Sequence, residues 1–124
     1  MPALEPLRGL RVVADPTALE AARWHGDHVT VLRFAPDDAF AIGADTVDIV
    51  DEHAIVESEE GFVGAWLPID GVLPHIEWSL PPERPSLVQG FVATVPAKVW
   101  LPDDGDVLLI AAAAFAGELT GRLR

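Results

Sequence analysis

Three residues of the chain have the types and spacing from which a metal site could be built. His75 stands two residues before Glu77, and in a β-strand positions i and i+2 lie on the same face. An imidazole and a carboxylate on one face can share a divalent cation, which then needs at least one further ligand. His53, which follows two acidic residues, is the other candidate ligand. One hypothesis is therefore a metal-binding or small-molecule-binding protein that uses these three residues, although exposed polar strand residues have the same pattern.

No sequence pattern typical of a catalytic site accompanies these side chains. The chain has no cysteine, which excludes disulfides, zinc–cysteine sites, iron–sulfur clusters and a cysteine nucleophile. The serines lack the G-x-S-x-G turn of hydrolases, and neither a dinucleotide-binding loop nor a P-loop is present. Lys98, the one lysine, fits an ordinary surface charge better than a Schiff-base nucleophile. We therefore predict that this chain has no catalytic residue and binds no cofactor.

The acidic residues are concentrated in the middle of the chain. Eight Lys and Arg stand against 20 Asp and Glu, for a formal net charge of −12. Residues 34–83 contain no Lys or Arg, whereas residues 1–33 and 84–124 are each balanced in charge. A negatively charged surface disfavours binding to nucleic acid and to anionic membranes, because proteins bind both through positively charged side chains. The acidic segment either keeps the protein in solution or binds a basic protein partner.

Six residues are the candidates for contact with such a protein partner. Five of them are acidic residues of the middle segment, and the sixth is a tryptophan beside a proline-rich loop, where an exposed aromatic ring could anchor a partner. Trp66 and Trp100, in contrast, fit core positions of their elements. The six candidates are Asp37, Asp38, Asp48, Asp51, Glu52 and Trp78.

Targeting and membrane signals are missing from the sequence. The first residues have neither the basic nor the apolar region of a signal peptide. The longest apolar run, residues 107–116, has about half the length that a bilayer-spanning helix needs. We therefore expect a soluble cytoplasmic protein that interacts with neither a membrane nor nucleic acid.

Hydrophobic periodicity and turn signals predict one α+β domain with a mainly antiparallel sheet. Asp15-Pro16 is typical of a helix start, Ser58 can cap a second helix, and Asp103-Asp104-Gly105 is typical of a hairpin turn. A short N-terminal helix is predicted over 16–25, a short central helix over 58–67 and a C-terminal helix over 112–123. Strands are predicted over residues 10–14, 28–35, 40–43, 46–50, 53–57, 87–95, 98–101 and 107–110.

The remaining segments are predicted to be irregular. Residues 1–9 form an extended N-terminal segment, and residues 68–86, with five prolines, form an ordered loop. Residues 75–78 are predicted as a brief edge strand within that loop. Exposed strand edges leave a further hypothesis open, in which the chain is a structural protein that associates with itself.

Three stretches resemble the gamma subunit family of heterotetrameric sarcosine oxidase, a relative of the folate-binding aminomethyltransferase fold. Residues 31–43 resemble its strand, its turn of proline, aspartate and a second acid, and its following strand. Residues 47–67 are similar to its next strand, acidic link and short helix, and residues 90–123 are similar to its three last strands and closing helix.

The resemblance implies an accessory subunit without chemistry of its own. In that family the flavin, NAD and folate sites belong to the larger chains, so no catalytic or cofactor-binding residue is carried over to this chain. The resemblance implies instead that this chain docks on larger, flavin-dependent oxidase chains. This expectation agrees with the missing catalytic pattern and with the charged middle segment.

Overall fold

The computed structural model describes residues 4–76 and 78–123, which form two compact units. Residues 7–60 are the N-terminal unit, and residues 4–6 with 61–123 are the C-terminal unit. No helix in the described part of the chain has the length and apolar character needed to span a bilayer. The elements are β1 (Glu5–Val13), α1 (Pro16–Ala21), β2 (Arg23–Ala35), β3 (Asp38–Asp48), β4 (Ile55–Leu67), α2 (Ile69–Val72), β5 (Ser86–Val92), β6 (Val95–Leu101), β7 (Val107–Ala112) and α3 (Ala116–Arg122).

The N-terminal unit contains β1 from Leu7 onward, β2, β3 and the first half of β4, in the sheet order β2-β3-β1-β4. β3 pairs antiparallel with β1 on one side and with β2 on the other. In β1, Leu10 and Val12 are buried on one face, and Leu19 of α1 joins the same hydrophobic cluster. The predicted start of α1 is confirmed, because the Asp15 carboxylate accepts a hydrogen bond from the Thr17 amide at 2.9 Å.

Two glycines allow β2 and β3 to bend while they stay paired. The register between these strands shifts on both sides of Gly26. A Cβ atom on Gly26 would lie 2.0 Å from the carbonyl oxygen of Gly43, so no other residue fits there. Gly43 itself has a φ of +86°, a backbone conformation that residues with a Cβ atom rarely adopt.

The C-terminal unit contains the second half of β4 and the other three strands, in the order β4-β7-β6-β5. The pairings of β4 with β7, of β7 with β6 and of β6 with β5 are antiparallel. Val72 of α2 and Leu119 of α3 pack against this sheet within one hydrophobic cluster. Both units therefore confirm the predicted α+β class with a mainly antiparallel sheet.

The prediction of a helix over residues 58–67 is wrong, because these residues belong to β4. Phe62 lies opposite Ala112, and the pairing with β7 continues as far as Leu67. The apolar residues of this segment satisfy both helical and strand periodicity, and Ser58 imitates a helix cap. Gly61 and Gly64 weaken a helix, and the ladder with β7 gives the strand its partner. The short central helix is α2 instead, which follows Pro68.

Five other predictions about the bounds of elements are corrected by the structure. α1 ends at Ala21 rather than at residue 25, because the following residues pair with the end of β3. The segments predicted over 40–43 and 46–50 are one continuous strand, β3, and the strand predicted from residue 53 begins at Ile55. α3 starts at Ala116, after a 3-10 turn at Ala113–Phe115. Residues 5–9, predicted as an extended segment, belong to β1.

The strand predicted over residues 87–95 ends earlier because the chain turns at Ala93 and Thr94. These two residues have φ values of 50° and 67°, which a two-residue hairpin requires and which their side chains disfavour. Pro96 therefore lies inside β6, beyond the part of that strand that pairs with β7. Of the edge strand predicted over 75–78, the described residues keep an isolated bridge between Ile76 and Val92.

Arg11 connects all four strands of the N-terminal unit. Its guanidinium donates two hydrogen bonds of 2.7 Å to the Asp38 carboxylate of β3 and one of 3.0 Å to Glu59 of β4. The guanidinium carbon lies 4.7 Å from the ring centroid of Phe34 in β2. The hydrogen bond with Asp38 raises the pKa of Arg11 above its usual value. The planar guanidinium of arginine can donate to two carboxylates and stack on an aromatic ring at the same time. The ammonium group of lysine cannot make the same paired hydrogen bonds to one carboxylate.

We predict that Arg11→Lys lowers the free energy of unfolding by about 1–3 kcal/mol, because the paired hydrogen bonds to Asp38 are lost in a half-buried site. Arg8→Lys is the matched control, since Arg8 is 76% exposed and lies 3.9 Å from Glu60. It should change the free energy by less than about 0.5 kcal/mol. Urea denaturation measures both, and equal effects of the two substitutions would contradict the role given to Arg11.

Candidate interaction surface

The predicted metal ligands are only partly described by the structure. Glu77 lies outside the described residues. His53 has an 86% exposed side chain in the N-terminal unit, with its imidazole 3.4 Å from Glu52. His75 belongs to the C-terminal unit, where its backbone carbonyl accepts a hydrogen bond from the Ala93 amide at 2.8 Å. Among residues 4–76 and 78–123, no group of three or more His, Cys, Asp or Glu is placed to hold a metal ion.

Several acidic residues gather where β1 ends. The Ala14 amide donates to the backbone carbonyl of Asp37, and the Asp15 amide donates to the Asp51 carboxylate at 2.9 Å. The turn between β2 and β3, the link between β3 and β4, and the start of α1 therefore meet at this point. We call this region the acidic end: it comprises residues 13–15, Asp37 and residues 49–56.

Asp51 organises the link between β3 and β4. One oxygen of its carboxylate accepts from the Asp15 amide and the other accepts from the His53 amide, each at 2.9 Å. These hydrogen bonds favour the ionised form, so they lower the pKa of Asp51 below its usual value. The negative charge of Asp51 is therefore kept at lower pH than that of an ordinary aspartate.

The acidic end also exposes apolar side chains. Val50 is 97% exposed, Ile55 is 55% exposed, and Val13 and Val56 are 39% and 44% exposed. Solvent-exposed aliphatic residues that are surrounded by charge are typical of protein–protein contact surfaces. Three of these residues lie within the short stretch 50–56, which separates this region from an ordinary solvated acidic face.

A groove of about 600 Å³ borders the acidic end. Apolar side chains of α1 and β3 form part of its wall, and two charged residues complete it. Its lining residues are Ala21, Arg23, Val47, Asp48, Ile49 and Val50. The groove is open and has mixed polarity, so it suits an inserted side chain of a partner protein better than an enclosed small molecule.

The arginine ion pairs of the described N-terminal unit do not include the carboxylates of the acidic end. The unit has four arginines against twelve carboxylates, a net charge of −8. Arg8, Arg11 and Arg33 pair with carboxylates elsewhere in the unit. Arg23 lines the adjacent groove, but within the described residues no arginine forms an ion pair with the carboxylates of the acidic end. Those carboxylates are therefore available to an external cation.

The structure brings some of the partner-binding candidates together and separates others. Asp37, Asp51 and Glu52 lie at the acidic end, and Asp48 lines the adjacent groove. Asp38 is half-buried in its ion pair with Arg11, which gives it a structural role.

The two tryptophans differ from their predicted settings. Trp78 is half-buried and packs against the core of the C-terminal unit, with ring carbons 2.9 Å from where a Cβ of Gly90 would be. It is therefore not an exposed anchor. Trp66, expected in the core, is 47% exposed.

The apolar part of this surface was missed by sequence reasoning. Ile49-Val50 and Ile55-Val56 are consecutive pairs of apolar residues, a pattern that is also typical of an ordinary buried strand. The one usable signal is the link at residues 51–54, whose lack of asparagine and glycine disfavours a tight primed turn. In the structure the Asp51 carboxylate holds this link.

We predict that Asp51→Asn destabilises the protein at neutral pH, because an amide offers one acceptor oxygen to two backbone amides that need two. A carboxylate whose folded pKa is lowered stabilises the fold above its unfolded pKa, and this contribution disappears as pH falls through the folded value. The difference in melting temperature between wild type and variant should therefore shrink on acidification. Glu52→Gln, at an exposed neighbour without these bonds, is the control and should show no such trend.

Comparisons with protein-family models, with curated proteins and with solved structures found no match to this chain.

Proposed function

We propose that this chain is a non-catalytic interaction domain that binds a basic protein surface through its acidic end. The observation that carries the proposal is the combination at one site of exposed Val50 and Ile55 with carboxylates that have no arginine partner among the described residues. Apolar contacts would supply the centre of such an interface, and the charges would supply orientation and speed of encounter.

The resemblance to sarcosine oxidase gamma subunits suggests the class of partner. Under this proposal the partner is a larger, flavin-dependent oxidase chain, which would contribute the cofactors and the reacting groups. The present chain would contribute shape and charge only. A basic patch on the partner, rimmed by arginine or lysine around an apolar centre, is the complement that the acidic end requires.

The first test is native purification of the chain at low ionic strength, followed by size-exclusion chromatography and mass spectrometry. The proposal expects a larger chain with a basic surface to co-elute, and the complex to weaken as salt screens the charges. A species that contains this chain and no other protein at low salt would contradict it.

The second test maps the contact on the co-purified pair. We predict that the combined Asp37→Asn and Glu52→Gln variant associates severalfold more slowly, because two exposed charges that steer the encounter are removed. Asp103→Asn with Asp104→Asn is the matched control, since it removes the same charge from an exposed turn of the C-terminal unit. Stopped-flow or surface binding kinetics give the rates, and an equal loss in both variants would refute the acidic end as the contact.

A further inference from the structure

β2 and β5 are edge strands, and they differ in how well their outer edges are protected against pairing with another strand. β2 carries charged and titratable residues along its length, among them Arg23, Asp27 and Arg33, and its register with β3 shifts three times. His28 in β2 also has a positive φ of 51°. Charges, bulges and local twist are the features by which natural sheets prevent their edges from pairing with other strands.

β5 has none of these protecting features. Its seven residues, Ser86–Val92, contain no charged side chain and no proline, and they pair with β6 in one unbroken register. The whole β5–β6 hairpin, residues 86–101, carries a single charge, that of Lys98, in a chain with a net charge of −12. This hairpin is therefore a segment where two negatively charged copies can approach with little repulsion.

The hairpin geometry shows which backbone groups of β5 point outward. In a two-residue hairpin the residues that flank the turn, here Val92 and Val95, form a hydrogen-bonded pair. Alternation then directs the amide and carbonyl groups of Leu87 and Gln89 away from β6. Within the described residues, no hydrogen bond satisfies these four groups.

The end of this edge next to the turn is already covered. Ile76 forms a bridge with Val92, and the Ala93 amide donates to the carbonyl of His75 at 2.8 Å. The Trp78 ring also lies against Gly90. A strand that adds to β5 is therefore limited to Ser86–Gln89. In an antiparallel ladder, the two residues of a hydrogen-bonded pair each donate to the other. The residue opposite Leu87 must therefore also have its amide and carbonyl groups on the outer side of its strand, and the same holds for the residue opposite Gln89.

We propose that two copies of this chain form a dimer in which their β5 strands pair antiparallel about a twofold axis at Val88. Leu87 of each copy lies opposite Gln89 of the other, so four backbone hydrogen bonds form across the axis. The two Val88 side chains meet at the axis as a close, non-hydrogen-bonded pair. Since Val88 packs against the core of the C-terminal unit, this contact joins the cores of the two copies.

The inference goes beyond the proposed function and does not depend on it. The dimer uses β5 in the C-terminal unit, whereas the proposed partner contacts the acidic end of the N-terminal unit. A substitution in β5 can therefore abolish the dimer and leave binding of the basic partner unchanged, and substitutions at the acidic end can do the reverse.

The test is sedimentation analysis of the purified full chain over a wide range of concentrations. The wild type should change from a 13.3 kDa monomer to a species of twice that mass as concentration rises. Gln89→Pro removes the outward amide and leaves the ladder with β6 intact, because that amide does not point toward β6. The loss of two intermolecular hydrogen bonds should raise the dimer dissociation constant by roughly tenfold or more.

Gln89→Thr is the matched control, since it keeps the backbone amide and a residue suited to strands, and it should dimerise like the wild type. A second measurement needs no variant: exchange of the Leu87 and Gln89 amide protons should slow as the wild-type concentration rises. A wild type that stays monomeric, a Gln89→Pro variant that dimerises as tightly as the control, or amide exchange that is independent of concentration would each overturn the proposal.

Discussion

The N-terminal unit depends on one guanidinium that forms ion pairs with two carboxylates. Arg11 lies in the middle of β1, between Asp38 of β3 and Glu59 of β4, and stacks over Phe34 of β2. These groups are mostly shielded from water, where an unpaired charge is costly and a paired one is held in a fixed geometry. A single side chain thus fixes the relative placement of four strands in a unit whose net charge would otherwise oppose compact folding.

This use of arginine determines what remains on the surface. Since Arg8, Arg11 and Arg33 bind carboxylates within the unit, the charges at the end of β1 have no internal counterion of that kind among the described residues. The hydrogen bonds to Asp51 then hold the β3–β4 link in a conformation that exposes Val50. The described unit has few arginines, and those that pair with carboxylates elsewhere in the unit are not paired with the carboxylates of the acidic end.

Sequence reasoning succeeded where a local signal had no competitor. Asp15-Pro16 started α1 as predicted, and the turn at Asp103–Gly105 joined β6 to β7. It failed where long-range pairing overrode a local preference. The apolar residues of β4 fit a helix as well as a strand, and the partner strand that decides between them lies forty to fifty residues away.

The candidate surface was predictable only in its charge. Asp37, Asp51 and Glu52 were identified from composition, but their convergence depends on backbone hydrogen bonds at the end of β1 that no periodicity reveals. Likewise, the turn at Ala93 and Thr94 uses residues that disfavour positive φ, so turn chemistry placed the strand boundary three residues too late.

The central claim is that the chain acts through the acidic end and not through a reactive pocket. Hydrogen–deuterium exchange of the chain, alone and in its native complex, tests this claim most directly. We expect slower exchange on complex formation in residues 13–15, 37 and 49–56, with the rest of the N-terminal unit unchanged. Protection that is confined to the C-terminal unit, or no protection at all, would contradict it.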